Sequence, residues 1–71
     1  MPVRYEIRVE GLIAQGWSAW LGGMAITHLE SGDTLISGMV SDQTALHGLL
    51  AKIRDMNLTL ISVTKDTHYR N

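Results

Sequence analysis

The stretch "SDQTALHGLLAKIRDMNLTLISV", residues 41–63, constrains the fold of this chain more than any other. It reads as a capped helix running straight into a strand. Ser41 or Asp42 offers a side-chain oxygen to the orphan amides of a first helical turn. Leu46, Leu49, Leu50 and Ile53 recur at i, i+3, i+4 and i+7, and Met56 extends the stripe, so one helix face is apolar. Asn57 suits the position just past a helix end, and Leu58 can fold back on Ile53 as in a Schellman closure. "LTLISV" then reads as a strand with Leu60 on one side and Ile61 and Val63 on the other. A strand apolar on both sides is one that is covered on both. An apolar helix stripe needs a second layer to bury it, so the rest of the chain must supply a sheet.

It does so from its first residues. "VRYEIRVE" alternates strictly from position 3. Val3, Tyr5, Ile7 and Val9 fall on one side and Arg4, Glu6, Arg8 and Glu10 on the other, the pattern of a strand with one buried and one wet face. Gly11 breaks it. In "LIAQGWSAWLGG", Ile13, Trp17, Trp20 and Leu21 stand at helical spacing and Gly22-Gly23 supplies a stop, which predicts a short helix over 13–21. "MAITHLESGDTLISGMV" predicts a hairpin with arms over 24–29 and 34–40 about a Ser31-Gly32 turn. Gly38, late in the second arm, suggests a bulge. The order strand, helix, strand, strand, helix, strand predicts an α+β, ferredoxin-like βαββαβ two-layer sandwich, with a four-stranded antiparallel sheet and two helices on one face. Residues 1–65 form its single compact domain and 66–71 a polar, frayed tail.

Size and charge narrow the function. A chain of 71 residues buries only about 60% of the surface it exposes when unfolded, so the monomer is expected to be marginal. Small domains offset this with disulfides, a metal or a partner. There is no cysteine, and the three histidines, His28, His47 and His68, show no close ligand spacing, so neither a metal nor another cofactor is expected. Self-association remains, and a homo-oligomer, a dimer first, is the expected partner. Six basic residues against seven acidic ones leave no basic patch for nucleic acid. No apolar run approaches the ~20 residues that span a bilayer, and "MPVRYEIRVEG" lacks a signal-peptide core. A soluble cytoplasmic protein without a membrane partner is expected.

Three features could carry function. On the helix, Gln43, His47 and Arg54 fall within one narrow arc beside the apolar stripe. They could hold a small anionic ligand, since arginine grips carboxylates through paired hydrogen bonds and histidine titrates near neutrality; they could equally be a polar flank. Gly48, inside a good helix, could admit a close backbone or simply be tolerated on an exposed face. Trp17 and Trp20 could pack in the core or anchor an interface; a nucleobase platform would need basic neighbours, and none stands between Arg8 and Lys52. Arg4, Glu6, Arg8 and Glu10 could pair with a second copy or form weak local ion pairs. Gly22-Gly23 follows the expected helix instead of preceding one, so it is no phosphate loop. Ile61 and Val63 form one of the two apolar sides of the last strand; helices cover only one side of the sheet in this fold, so a partner sheet or subunit could cover the other.

The chain also resembles a group of short bacterial proteins without an assigned activity. The similarity lies in "WSAWLGGMAITH" and then "GDTLISGMVSDQTALHGLLAKIRDMNLTLISV", over about residues 5–63. Its pattern is W-x-x-W-x-G followed by D-Q-x-x-L-H-G-x-L-x-x-I-R-D, from Trp17, Trp20 and Gly22 to Ile53, Arg54 and Asp55. The resemblance implies a compact domain and no particular chemistry. It makes Gln43-x-x-x-His47 the first place to look for a ligand.

Three functions compete. The favoured one is a non-enzymatic interaction or assembly module that self-associates. The alternative is a sensor or regulatory domain binding an anionic metabolite near Gln43, His47 and Arg54. Last comes a cofactor-free enzyme at a dimer interface with a histidine base. No acid–base pair stands out to support it, so no catalytic residue is assigned.

Overall fold

The computed structural model describes residues 2–66. Four strands, β1 (Val3–Val9), β2 (Ala25–His28), β3 (Thr34–Val40) and β4 (Leu60–Lys65), and one helix, α1 (Gln43–Asp55), account for its regular structure. The strands lie in the order β2-β3-β1-β4, with every neighbouring pair antiparallel. The expected tail lies outside the described residues from 67 onward, and His68 with it.

β1 lies between β3 and β4, with one buried and one wet face as its alternation implies. Its register sets Ile7 against Ile36 and Val3 against Val40, and Ile26 of β2 continues the row beside Ile36. These residues share one face, onto which α1 lays Leu46, Leu49 and Ile53. The other face carries Arg4, Glu6 and Arg8, flanked by Ser62 and Thr64 of β4. Arg4 Nε lies 3.4 Å from Asp66 Oδ2, and Arg8 Nη2 lies 3.0 Å from Asp33 Oδ2.

Both ends of α1 follow from local chemistry. Asp42 is the N-cap and accepts a 2.8 Å hydrogen bond from the Ala45 amide. At the other end Asn57 takes a left-handed φ of 62°. The Asn57 amide then donates to the Arg54 carbonyl and the Leu58 amide to the Ile53 carbonyl, the paired bonds of a Schellman closure.

The segment before β2 departs from expectation. A helix over 13–21 is replaced by a single 3-10 turn, Gln15–Ser18, followed by turns through Gly23. Ala14 is extended, with φ −68° and ψ 145°. Only Ile13 and Leu21 of the four spaced apolar residues are buried; Trp17 and Trp20 are each 46% exposed. Two anchors with glycines between and after them do not make an apolar stripe, so nothing repays helix nucleation. The Ser18 hydroxyl closes the turn on the Met24 carbonyl at 2.6 Å. The second layer is therefore one helix and an irregular segment.

Two details of the sheet also differ. Gly38 marks no bulge, because the β1–β3 register runs unbroken through its pairing with Tyr5. Its missing side chain makes room for Met24, whose sulfur lies 2.7 Å from where a Cβ would stand. The irregularity is instead in the β1–β4 pairing, between Arg8 and Val9. There Leu60 and Ile61 together face Val9, and one extra residue resets the alternation.

Candidate functional site

That extra residue decides what β4 presents. Simple alternation separates Leu60 from Val63. With the irregularity, Leu60 pairs with Val9 and Val63 with Ile7, so both lie on the helix side of the sheet. The two-sided apolar strand expected from the sequence is thus one-sided: Ser62 and Thr64 occupy the other face. α1 nevertheless approaches the sheet most closely over β3. Leu60, Ile61 and Val63 stay 46%, 48% and 38% exposed, although Ile7 and Val9 beside them are fully buried. As the last strand of the sheet, β4 also leaves one row of backbone amides and carbonyls without a strand partner among the described residues.

Between α1 and this strand runs a groove of about 410 Å³. Leu50, Ile53, Leu58 and Leu60 form its apolar lining, and His47 and Arg54 line it too. Both are exposed side chains, and Arg54 Nε has Asp55 Oδ1 at 3.8 Å. Gln43 opens instead on a separate hollow of about 280 Å³ beside Tyr5 and Lys65. Two of the three candidate ligand residues thus share a groove and the third does not.

A further groove of about 330 Å³ lies on the opposite flank of α1, between Gly48 and the Leu21–Met24 turn. A Cβ on Gly48 would meet nothing within 4 Å, so within the described chain no close backbone explains this glycine. Beside it the Lys52 ammonium stands 5.3 Å from the Trp20 ring centre and donates to the Trp20 carbonyl at 3.1 Å. The tryptophan ring therefore has a cation against it and a half-open surface, not a core position.

The polar residues with the most partners are ones the helical arc does not contain. Thr34 is fully buried; its hydroxyl accepts from the Ile13 amide at 3.2 Å and donates to the Gly11 carbonyl at 2.7 Å. His28 Nε2 donates to the Ile13 carbonyl at 2.6 Å, which requires the proton on that nitrogen. Arg8 donates to Asp33 through Nε and Nη2 and to the Ser31 hydroxyl. The Arg8 hydrogen bond holds the Asp33 carboxyl below its ordinary value, helped by Ser31 and the Gly11 backbone and opposed by desolvation. These contacts fasten the loop after β1 and the hairpin turn to the sheet. Period-two reading could have flagged Thr34, since it stands two before Ile36 on the core-facing side, where a hydroxyl must find partners.

Among the described residues, no three His, Asp or Glu side chains gather as a metal site would need, and no helix is long and apolar enough to cross a membrane. No curated protein and no solved structure matches the chain. Residues 4–64, from the central strand to the exposed edge strand, match the family described as "Domain of unknown function (DUF8691)", and the chain belongs to that family.

Proposed function

We propose that the protein is a non-enzymatic interaction or assembly module that self-associates, with a homodimer as its basic unit. We read its architecture as a ferredoxin-like sandwich whose first helix is reduced to one turn. The observation that carries the reading is β4, an edge strand exposed on both faces that still presents Leu60, Ile61 and Val63 on its helix side. Three neighbouring apolar residues on an unpaired edge are what a soluble chain avoids unless something covers them. Trp17 and Trp20 offer a second apolar surface of the kind that anchors interfaces. Sedimentation from sub-micromolar to high-micromolar concentration tests the reading. A dimer that dissociates on dilution is expected, and a monomer throughout would overturn it.

The groove with His47 and Arg54 favours a second reading, a regulatory domain that binds an amphipathic carboxylate. The apolar lining would hold the body of such a ligand and the two basic groups its head. Thermal shifts with a panel of small carboxylates should then be lost in His47→Ala and Arg54→Ala. Shifts that survive both substitutions, or none at any concentration, remove it.

A further inference from the structure

We infer that the second copy pairs with β4 by antiparallel strand addition about a two-fold axis through Val63, joining the two sheets into one of eight strands. The inference rests on the self-association proposed above and fixes its partner and register.

The backbone indicates which groups are free to pair. The Asp66 amide donates to the Arg4 carbonyl at 2.9 Å, so at Asp66 the main chain points inward to β1. Direction alternates along an antiparallel strand. Thr64 and Ser62, which stand opposite Glu6 and Arg8, therefore also point inward. Lys65 and Val63 point their amides and carbonyls outward, and Ile61 stands at the irregularity.

The regular part of the edge is short. It begins after the irregularity that sets Leu60 and Ile61 against Val9 and ends with the strand at Lys65. Its midpoint falls between Val63 and Thr64, of which Val63 has the outward groups. An antiparallel two-fold centred on Val63 pairs Val63 with Val63, through outward groups, and sets Ile61 opposite Lys65. Ser62 meets Thr64 on the opposite face.

Side chains agree with that register. On the helix side valine meets valine, and the aliphatic stem of Lys65 covers Ile61 while its ammonium stays in water. On the other face two hydroxyl side chains meet, a favourable cross-strand pair. A centre at Ser62 would set Leu60 against Thr64, which lie on opposite faces of β4. A centre at Thr64 would leave Ile61 without a partner inside the strand. A second copy supplies each of these partners by symmetry. The contact is isologous and closes at two subunits, whereas pairing β4 with the four-residue β2 would propagate.

Strand pairing alone does not complete an interface. A standard one takes about 800 Å² from each partner, roughly a sixth of the 4759 Å² exposed here. The apolar strip beside the axis, from Val63 and Ile61 toward Leu58, is the surface that would add to the strand pair.

The absence of cysteine makes the test clean, because each introduced thiol is the only one. In this register the Val63 Cα atoms of two copies stand about 5.5 Å apart, within disulfide range. Ser62 would be offset from its own copy by two residues, about 8 Å, which is too far. Val63→Cys should therefore form a disulfide dimer under mild oxidation, while Ser62→Cys and Thr64→Cys alone should not. Mixing Ser62→Cys with Thr64→Cys should give the crossed dimer. Far-ultraviolet circular dichroism confirms that each variant is folded. Self-crosslinking at Ser62 or Thr64, or at Trp20→Cys with none in β4, would overturn the register and leave self-association standing. A chain that sediments as a monomer and crosslinks nowhere would overturn both.

Discussion

Val63 stands directly across from Ile7 on the same face of the sheet, yet Ile7 is fully buried and Val63 is 38% exposed. The difference is one strand's width, about 4.8 Å, and the reach of α1 ends within it. Alanine substitutions should separate the two positions. Ile7→Ala removes core packing and should cost about 2–5 kcal/mol. Val63→Ala at high dilution should cost well under half as much, as surface changes do. Denaturant unfolding at two protein concentrations reads both. The unaltered chain should gain stability with concentration, as an associating protein must, and Val63→Ala should lose that dependence. Equal costs for the two variants at high dilution would show that Val63 is sealed in the monomer.

The ends of α1 make independent contributions. Asp42→Ala removes the acceptor for the Ala45 amide and should destabilise the fold by about 0.5–2 kcal/mol. Asn57, at φ 62°, is one of the few side chains at ease in that conformation, so Asn57→Ala should cost about 1–2 kcal/mol and Asn57→Gly should hold or raise stability. Thermal melts of the three variants decide it. A neutral Asp42→Ala would mean that water replaces the cap without penalty.

The same residues show why part of the fold was legible. α1 announces itself because its cap, its stripe and its Asn57 closure are all local and all agree. The strands of the hairpin and β1 were readable for the same reason, through alternation and turn chemistry. The segment 13–21 misled because Ile13 and Leu21 are core residues held at helical spacing by a turn, while Trp17 and Trp20 share that spacing without sharing the burial. Gly38 looked like a bulge and is a notch for Met24, a contact from another part of the chain that no local pattern encodes. The irregularity in β4 arises from pairing with β1, so the face of Leu60 could not be read from β4 alone. Of the candidate ligand residues, His47 and Arg54 line one groove. Gln43 shares their helical arc but borders a hollow made with Tyr5 and Lys65, which belong to strands and so lie outside what helical periodicity encodes.

The Arg8–Asp33 contact should make the hairpin sensitive to acid. Asp33 is depressed in the folded chain below its ordinary value of 3.8. A depressed carboxyl contributes stability that is present above the unfolded value and is lost as pH falls through the folded one, so the loss lies below about pH 4. The change belongs to the Asp33 carboxyl. Asp33→Asn should flatten that part of the acid limb in a pH series of denaturant midpoints while changing the slope above pH 5 little. The same slope in Asp33→Asn and the unaltered chain below pH 4 would assign acid sensitivity elsewhere.

Gly38 and Met24 supply the sharpest test of packing. An added Cβ at Gly38 would meet the Met24 sulfur at 2.7 Å and its methyl at 3.4 Å, and Met24 is itself buried. Methionine is flexible enough to move, but a buried one moves into neighbours already in contact, so Gly38→Ala should cost about 1–3 kcal/mol. Shortening the intruder should relieve the strain. Met24→Ala alone leaves a cavity and is destabilising, yet with Gly38→Ala the new methyl group occupies part of that space. The two substitutions should therefore couple favourably by about 0.5–3 kcal/mol, as contacting residues do. A double-mutant cycle in denaturant measures this directly. Strict additivity would mean that Met24 has another place to go, and that the absent side chain at position 38 serves some purpose other than making room for it.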